Sequence, residues 1–309
     1  MSVELSVVHD TRYDYAAPVS QAHHLAHLKP LHDAHQQLLD FTLRIEPDPG
    51  DLSERIDAFG NAAHHFSLAL PHGELHVRSS SRLRVAARFE SLDAASSPPW
   101  DGLRDRLHYV ARAPYDPAVG FVQPSPFIPR LEPLRAYGRS SFPPGRPVVE
   151  GAIELMQRVH GDFGYRSQST QVDTPVAEAF ERRTGVCQDF AHVMIGALRM
   201  LGLPARYVSG YLLTHAAADG HALVGADASH AWVQLHAPGT PGLPDDGWLD
   251  LDPTNDAIPA TDHIRVAVGR DYGDVAPLRG VIRGGGRHTL AVGVTTRRHD
   301  HPAAGPVVA

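Results

Sequence analysis

Over the first ninety or so residues, apolar side chains alternate with polar ones in short runs: Val3, Leu5 and Val7; Phe41, Leu43 and Ile45; Leu75 and Val77. A period of two puts every second side chain on one face, the pattern of half-buried strands. Pro47-Asp48-Pro49-Gly50 and Phe59-Gly60-Asn61 separate these runs as turns. The pattern predicts a small antiparallel β-rich domain, sandwich or barrel-like, over 1–92.

Proline clusters at Pro98-Pro99, Pro124-Ser125-Pro126 and Pro143-Pro144-Gly145 mark 93–146 as a packed bridging segment with one short helix from Trp100 to Ala111. From Pro147 the period turns helical, because Val148, Ile153, Met156 and Val159 share part of one face before Gly161. Thr174 to Arg182 reads as a further helix, Thr184-Gly185-Val186 as a turn, and Cys187 to Leu201 as an amphipathic helix. Phe190, Met194, Ala197, Leu198 and Leu201 carry its apolar face, and Gly202 with Pro204 ends it. Strands are expected at Ala205 to Leu213, His230 to His236 and Trp248 to Leu251. The expected fold class of 147–295 is α+β, a helix packed on an antiparallel sheet, with 296–309 as a tail.

Composition narrows the function classes. The 309 residues are 42% hydrophobic and 20% charged, enough for a large apolar core without disulfide or metal staples. A net charge of -7 lacks the basic footprint that a phosphate backbone demands, so no nucleic-acid partner is expected. One cysteine excludes an intramolecular disulfide and a multi-cysteine zinc site, and it fits a reducing compartment, which makes the cytoplasm the expected location. The first ten residues alternate as a strand does and lack the apolar core of a signal peptide, and no run approaches the ~18–20 apolar residues of a membrane span. The sequence carries nothing that fixes an oligomeric state.

The lone cysteine falls in the first turn of a helix, where backbone N–H groups lack intrahelical partners and the macrodipole favours negative charge. Both effects favour a thiolate, the attacking species in thiol chemistry, and the same N–H groups can hold an oxyanion. The bland alternative is that Cys187 is a small core residue. A nucleophile needs a base, and His230, opening a strand after Asp227-Ala228-Ser229, can project from a sheet edge toward the helix start. The strand Trp248 to Leu251 supplies carboxylates to orient that base, Asp250 and Asp252. They share a side by period, so parity cannot separate them, although the proline after Asp252 puts it nearer the rim. Asp189 suits the helix dipole, and Gln188 can either contact a substrate amide or cap the surface.

A rival constellation is the cluster His23, His24, His27, His32 and His35, in which His23 and His27 would share a helical face as metal ligands. No carboxylate stands at a recognisable spacing to complete such a site, so no metal and no cofactor is expected. Gly284-Gly285-Gly286 lacks the lysine and following helix of a phosphate loop and reads as a turn, and Arg297-Arg298-His299-Asp300-His301 reads as a frayed end.

Three blocks in order, Gly185-Val186-Cys187-Gln188-Asp189-Phe190-Ala191-His192, Ser229-His230-Ala231-Trp232-Val233 and Trp248 to Asn255, resemble the bacterial transglutaminase-like proteins, a group of cysteine enzymes with a papain-like core. Between the first two, Gly202-Leu203-Pro204-Ala205-Arg206-Tyr207 adds to the likeness. Tyr13-Asp14-Tyr15-Ala16-Ala17-Pro18-Val19 and Asp57-Ala58-Phe59-Gly60-Asn61 are similar to the β-rich N-terminal domain that accompanies that core, and Asp262-His263-Ile264 through Val275 to its C-terminal stretch. The resemblance implies a nucleophile at Cys187, a base at His230 and an orienting carboxylate at Asp252, without a cofactor. It also points to Tyr165 as an aromatic helper of the oxyanion, against a plain core tyrosine. Arg166-Ser167-Gln168-Ser169-Thr170 departs from the Pro-Gly-Ser-Thr-like turn expected there. The implied activity is acyl transfer from a peptide or protein substrate, hydrolytic in the bacterial group. Transfer from glutamine to an amine is the alternative, and a catalytically silent binding module on the same fold is the alternative of another class.

Overall fold

The computed structural model describes residues 2–108, 110–112, 114–167, 169–213 and 229–299. Asp227-Ala228, Gln168 and the 300–309 part of the expected tail lie outside the described residues.

The N-terminal region is antiparallel, as its alternation predicts. Its strands are β1 (Ser2–Ala26), β2 (Gln36–Glu46), β3 (Asp51–Ile56), β4 (Ala62–Leu68) and β5 (His72–Ala86), in the order β2-β5-β1-β4-β3. In β1 the buried positions are Leu5, Val7, His9 and Thr11, then Val19, then Ala22, His24 and Ala26. The parity changes across irregularities between Asp14 and Val19 and between Val19 and Gln21. A bulge of this kind turns the strand's inward face, so one strand serves two cores. Leu5 and Val7 join the main core of the molecule, whereas Val19, Ala22 and Ala26 pack with Ile45, Phe66, Leu68 and Val77 in a smaller one. Because β1 is a strand throughout, His23 and His24 do not lie on a helix, and the shared helical face drawn for His23 and His27 does not exist.

The bridging segment holds more helix than its prolines suggest. It contains α1 (Trp100–Arg106), a 3-10 turn at Pro117–Phe121 and α2 (Glu132–Arg139), where Pro133 sits in the first turn that tolerates a missing N–H. α1 ends five residues before the expected Ala111. The Trp100 indole donates to Pro143 O at 2.8 Å, closing the segment on itself.

After α3 (Val148–Asp162), β6 (Gly164–Tyr165), α4 (Val176–Arg182) and β7 (Thr184–Gly185) comes α5 (Cys187–Met200). A sheet follows from β8 (Ala205–Leu212), β9 (His230–His236), β10 (Trp248–Leu251) and β11 (His263–Gly269), antiparallel in the order β10-β9-β8-β11. α5 packs on it as predicted, but nearly every residue from Gln188 to Arg199 is buried, because α2, α3 and α4 cover the face left by the sheet. Gly138 and Gly196 let α2 approach: a Cβ on Gly196 would lie 2.6 Å from Leu134. The buried Arg199 guanidinium donates to Ala205 O at 2.8 and 3.0 Å and to Ser125 Oγ at 3.1 Å.

α6 (Tyr272–Val275) leads to β12 (Leu278–Gly284) and β13 (His288–His299), joined by glycines that all have positive φ. Both strands pair with β1 rather than with the β8–β11 sheet, and β13 runs on to His299, opposite Glu4. The stretch from 278 to 295, expected within the C-terminal unit, and 296–299, expected as tail, therefore complete the N-terminal sheet. Two side-chain amides join the units. Gln36 exchanges hydrogen bonds of 2.8 Å with the backbone of Arg265, and Asn61 does the same with Val268. They satisfy the outer edge of β11, which would otherwise present unpaired backbone groups. Among the described residues, no helix is long and apolar enough to cross a membrane.

Candidate active site

The start of α5 is fixed from both sides. β6 pairs with β7 in parallel, with Tyr165 opposite Gly185, and Arg166 N–H donates to Gly185 O at 3.0 Å. Asp189 accepts from Val186 N–H at 2.8 Å and from the Thr170 hydroxyl at 2.6 Å, which ties the loop before α4 to the first helical turn. Only glycine fits at 185, since a Cβ there would lie 2.5 Å from the Asp189 carboxylate. The first intrahelical bond is donated by Asp189 N–H to Val186 O at 2.9 Å, so the N–H groups of Cys187 and Gln188 precede the ladder. Cys187, a free thiol, is half-buried.

His230 opens β9 opposite Gly210 of β8. Gly210 is another position where a side chain is excluded, because its Cβ would lie 2.4 Å from the Trp232 ring and 2.1 Å from Ile264 O. The space is taken by Trp232, which stacks on His230 with ring centroids 6.0 Å apart and donates to Asp250 Oδ1 at 3.0 Å. His230 Nε2 lies 2.7 Å from Asp252 Oδ2, and Cys187 lies near enough to the ring to help raise its pKa. With Nε2 engaged by Asp252, Nδ1 is the nitrogen left for the thiol.

Asp252 sits just past β10 in a tight reversal, where its backbone exchanges hydrogen bonds of 2.8 and 3.2 Å with Ala257 and Asp256 adopts a positive φ of 49°. Its side chain is fully buried. Oδ1 accepts from the N–H groups of Thr254 and Asn255 at 2.9 and 3.3 Å, and Oδ2 from Asn255 Nδ2 at 2.6 Å and His263 Nε2 at 3.1 Å in addition to His230. Asp250 is occupied elsewhere, by Trp232 and by Arg88 at 2.9 Å. The ambiguity of parity is thus resolved in space: Asp252 faces His230.

Electrostatics follow from these contacts. Burial works against a charged His230, but the Asp252 charge, the hydrogen bond to it and the bond to Cys187 outweigh burial and raise the pKa to about 10. Burial likewise opposes the Asp252 anion, and His230 and His263 overcome it, holding the carboxyl far below its usual range. Burial raises Asp189, with Thr170 and Val186 only partly restoring it.

The structure therefore brings Cys187, His230 and Asp252 together. Tyr165 is 38% exposed beside the helix start, its ring 6.3 Å from that of Phe190. Gln188 is buried, not a surface cap, and its amide donates to Val172 O at 2.9 Å, which fixes the loop before α4. Asn255, Trp232 and His263 went unassigned in the sequence. His263 reaches Asp252 from β11, two strands away from β9 in the sheet, and no local spacing signals that link. The ligand atoms of His230, Asp252 and His263 lie within 4.8 Å of one another, the spacing of a metal cluster. Yet both rings approach a single carboxylate oxygen at 2.7 and 3.1 Å, which are hydrogen-bond lengths and leave no room for an ion between them.

Comparison with known proteins identifies the family. Residues 139–253, which include all three side chains, match the model of the transglutaminase-like superfamily, and residues 5–84 match the bacterial transglutaminase-like N-terminal region. An uncharacterized protein of Mycobacterium tuberculosis is 38% identical over 278 residues, covering 89% of this chain and 86% of its own length. The chain belongs to the transglutaminase-like superfamily. Another uncharacterized protein, from Mycobacterium leprae, is 35% identical over 302 residues, 95% of this chain and 98% of its own. A Pseudomonas aeruginosa protein-glutamine gamma-glutamyltransferase is 35% identical over 109 residues, 34% of this chain and 15% of its own. Among solved structures, a proposed cysteine protease from Cytophaga hutchinsonii superposes with a TM-score of 0.71 at 19% identity, covering 98% of this transglutaminase-like chain and 92% of its own, a likeness of fold.

Proposed function

We propose that this transglutaminase-like chain is a thiol-dependent acyl-transfer enzyme that hydrolyses peptide or carboxamide bonds, with Cys187 as nucleophile, His230 as base and Asp252 orienting the histidine. One observation carries the reading: His230 is held by Asp252 at 2.7 Å and stands near enough to Cys187, at the start of α5, for the thiol to help raise its pKa. His230, held protonated at neutral pH, gives the sulfur a cationic partner. The thiolate attacks the carbonyl carbon, and the developing oxyanion meets the N–H groups of Cys187 and Gln188, with Tyr165 our candidate for a side-chain contact. His230 then gives its proton to the leaving amine or ammonia as the C–N bond breaks and a thioester forms. Water, losing a proton to His230, attacks the thioester, and the acid is released as the C–S bond breaks, restoring the thiolate beside a protonated His230. The lone thiol has to stay free for this, so we place the protein in a reducing compartment, the cytoplasm.

Transfer to an amine in place of water is a second reading, favoured by the similarity to the gamma-glutamyltransferase. Incubating the protein with a peptide library, with and without an added primary amine, and reading products by mass spectrometry separates the two. Cleaved or deamidated peptides are expected, and Cys187→Ala should lower their formation by about 10³-fold or more. Products formed equally by Cys187→Ala would remove the nucleophile. Amine adducts in place of hydrolysis would convert the reading to transamidation.

A further inference from the structure

His263 takes no part in the steps above, yet it is held on both sides beside them. Its side chain is 3% exposed, with Nε2 3.1 Å from Asp252 Oδ2 and Nδ1 2.8 Å from Asp262 Oδ1. Carboxylate oxygens only accept, so a ring engaged by carboxylates at both nitrogens must carry both protons. His263 is therefore an imidazolium. Burial works against that charge, and the bonds to Asp252 and Asp262 overcome it and raise the pKa. The other charged groups around it are matched among themselves. Arg88 is bound to Asp250 at 2.9 Å and Asp246 at 3.0 Å, and Arg265 to Asp33 at 2.6 Å. His35 lines the same narrow cleft, and on the far side Trp232 packs edge-on at 5.2 Å. Among the described residues, His230 is the remaining titratable neighbour, its ring 5.9 Å away.

One buried carboxylate thus stands between two imidazole rings. We propose that His263 is a positioning residue for the His230–Asp252 pair, a fixed cation that keeps Asp252 ionised and aimed while moderating the negative charge it presents to His230 and Cys187. The proposal rests on the reading of Cys187 and His230 as the reacting pair. Two effects follow from a cation at that distance. It disfavours the protonated form of His230 and favours the thiolate of Cys187, so it lowers both pH limits of the ion pair together. It also adds a third side-chain donor to Asp252 Oδ2, beside His230 and Asn255, which leaves that oxygen little freedom to turn away.

Two variants of the full chain separate charge from hydrogen bonding. His263→Gln retains an N–H group to face Asp252 without the charge, and His263→Leu removes both. The titration of His230 is read by NMR, with its signal assigned by comparison with His230→Gln, and the alkylation of Cys187 by iodoacetamide is followed against pH. In folded His263→Gln, the His230 titration should move up by about one pH unit, and alkylation at acid pH should slow. A folded His263→Gln whose His230 titrates at the wild-type pH would overturn the proposal, and it remains the decisive variant if His263→Leu fails to fold. An ordinary free-thiol profile in the wild type would instead sink the nucleophile reading. The His230 titration needs no reactive thiol, so it decides the role of His263 in that case too.

Discussion

His9 and His24 of the N-terminal sheet and His230 and His263 of the site are shielded to a similar degree, with exposures of 1%, 8%, 11% and 3%, yet they hold opposite charge states. His9 meets hydroxyls, Tyr211 at 2.9 Å and Thr11 at 3.1 Å, and burial takes its pKa down to about 4, with Asp10 opposing only in part. His24 stacks on Phe66 at 4.9 Å and falls to about 4 through burial and then the neighbouring His72 and His23. His192, inside α5, accepts from Tyr272 N–H at 3.2 Å and falls to about 3 through burial and Arg199. At the site the same burial is overruled by a buried carboxylate. Shielding sets the cost of a charge, and the partner decides whether it is met.

The sharpest way to break this contrast is Asp252→Asn, which keeps the shape and removes the charge. With burial then dominant, His230 should fall from about 10 to below the ordinary histidine value of about 6.5, joining His9 and His24. Turnover should drop by about 10³-fold or more, since the neutral ring no longer donates to residue 252 in the same tautomer. NMR titration of His230 checks the first effect and product formation the second. A histidine still protonated at pH 8 in Asp252→Asn would mean that Asp252 is not what charges it.

Asp250 sharpens the comparison from the other direction, because it is as buried as Asp252 and bound to a cation, but its cation is structural. Arg88 and Asp250 are 6% and 2% exposed, and Trp232 completes the network. Asp250→Asn should therefore cost about 3 kcal/mol of stability by leaving Arg88 with Asp246 alone at depth. It should leave the rate per folded molecule within about threefold. Denaturant unfolding measures the loss, and a rate deficit comparable to that of Asp252→Asn would show that the two carboxylates act as one unit.

How much of this was legible depends on the range over which each contact acts. The alternation of Val3-Leu5-Val7 and the helical spacing from Phe190 to Leu201 are local, and both elements formed where expected. The pairing of 278–299 with β1 joins the two ends of the chain, and no periodicity reports which sheet a strand will enter. α2 went unpredicted inside a segment read from its proline clusters as a bridge, although Pro133 at a helix start is compatible with the fold. At the site, the first turn of α5 pointed to Cys187, whereas the strand start made His230 a candidate that only the family resemblance selected from the 21 histidines. The choice between Asp250 and Asp252 needed the reversal at 253–257, which turns one carboxylate onto His230 while Trp232 and Arg88 take the other. His263 needed the strand order itself.

The smallest expected effect tests the neutral side of the contrast through pH. His9, His24 and His192 have folded pKa values below that of an unfolded histidine, about 6.5, so their share of stability is complete above that pH. It is lost as the pH falls from about 6.5 toward about 4, where the unfolded chain binds protons that the folded chain refuses. His230 has the reverse sign: its share is complete below about 6.5 and is lost as the pH rises toward about 10. Stability should then be greatest near pH 6–7 and fall on both sides. His24→Leu removes one titrating ring from the acid limb. It should change stability little at pH 7 and recover about 3 kcal/mol relative to the wild type at pH 4, read as a shallower fall of the denaturation midpoint with acid. An acid limb of unchanged slope would mean that His24 is already protonated in the fold, and that shielding without a carboxylate does not keep a histidine neutral there.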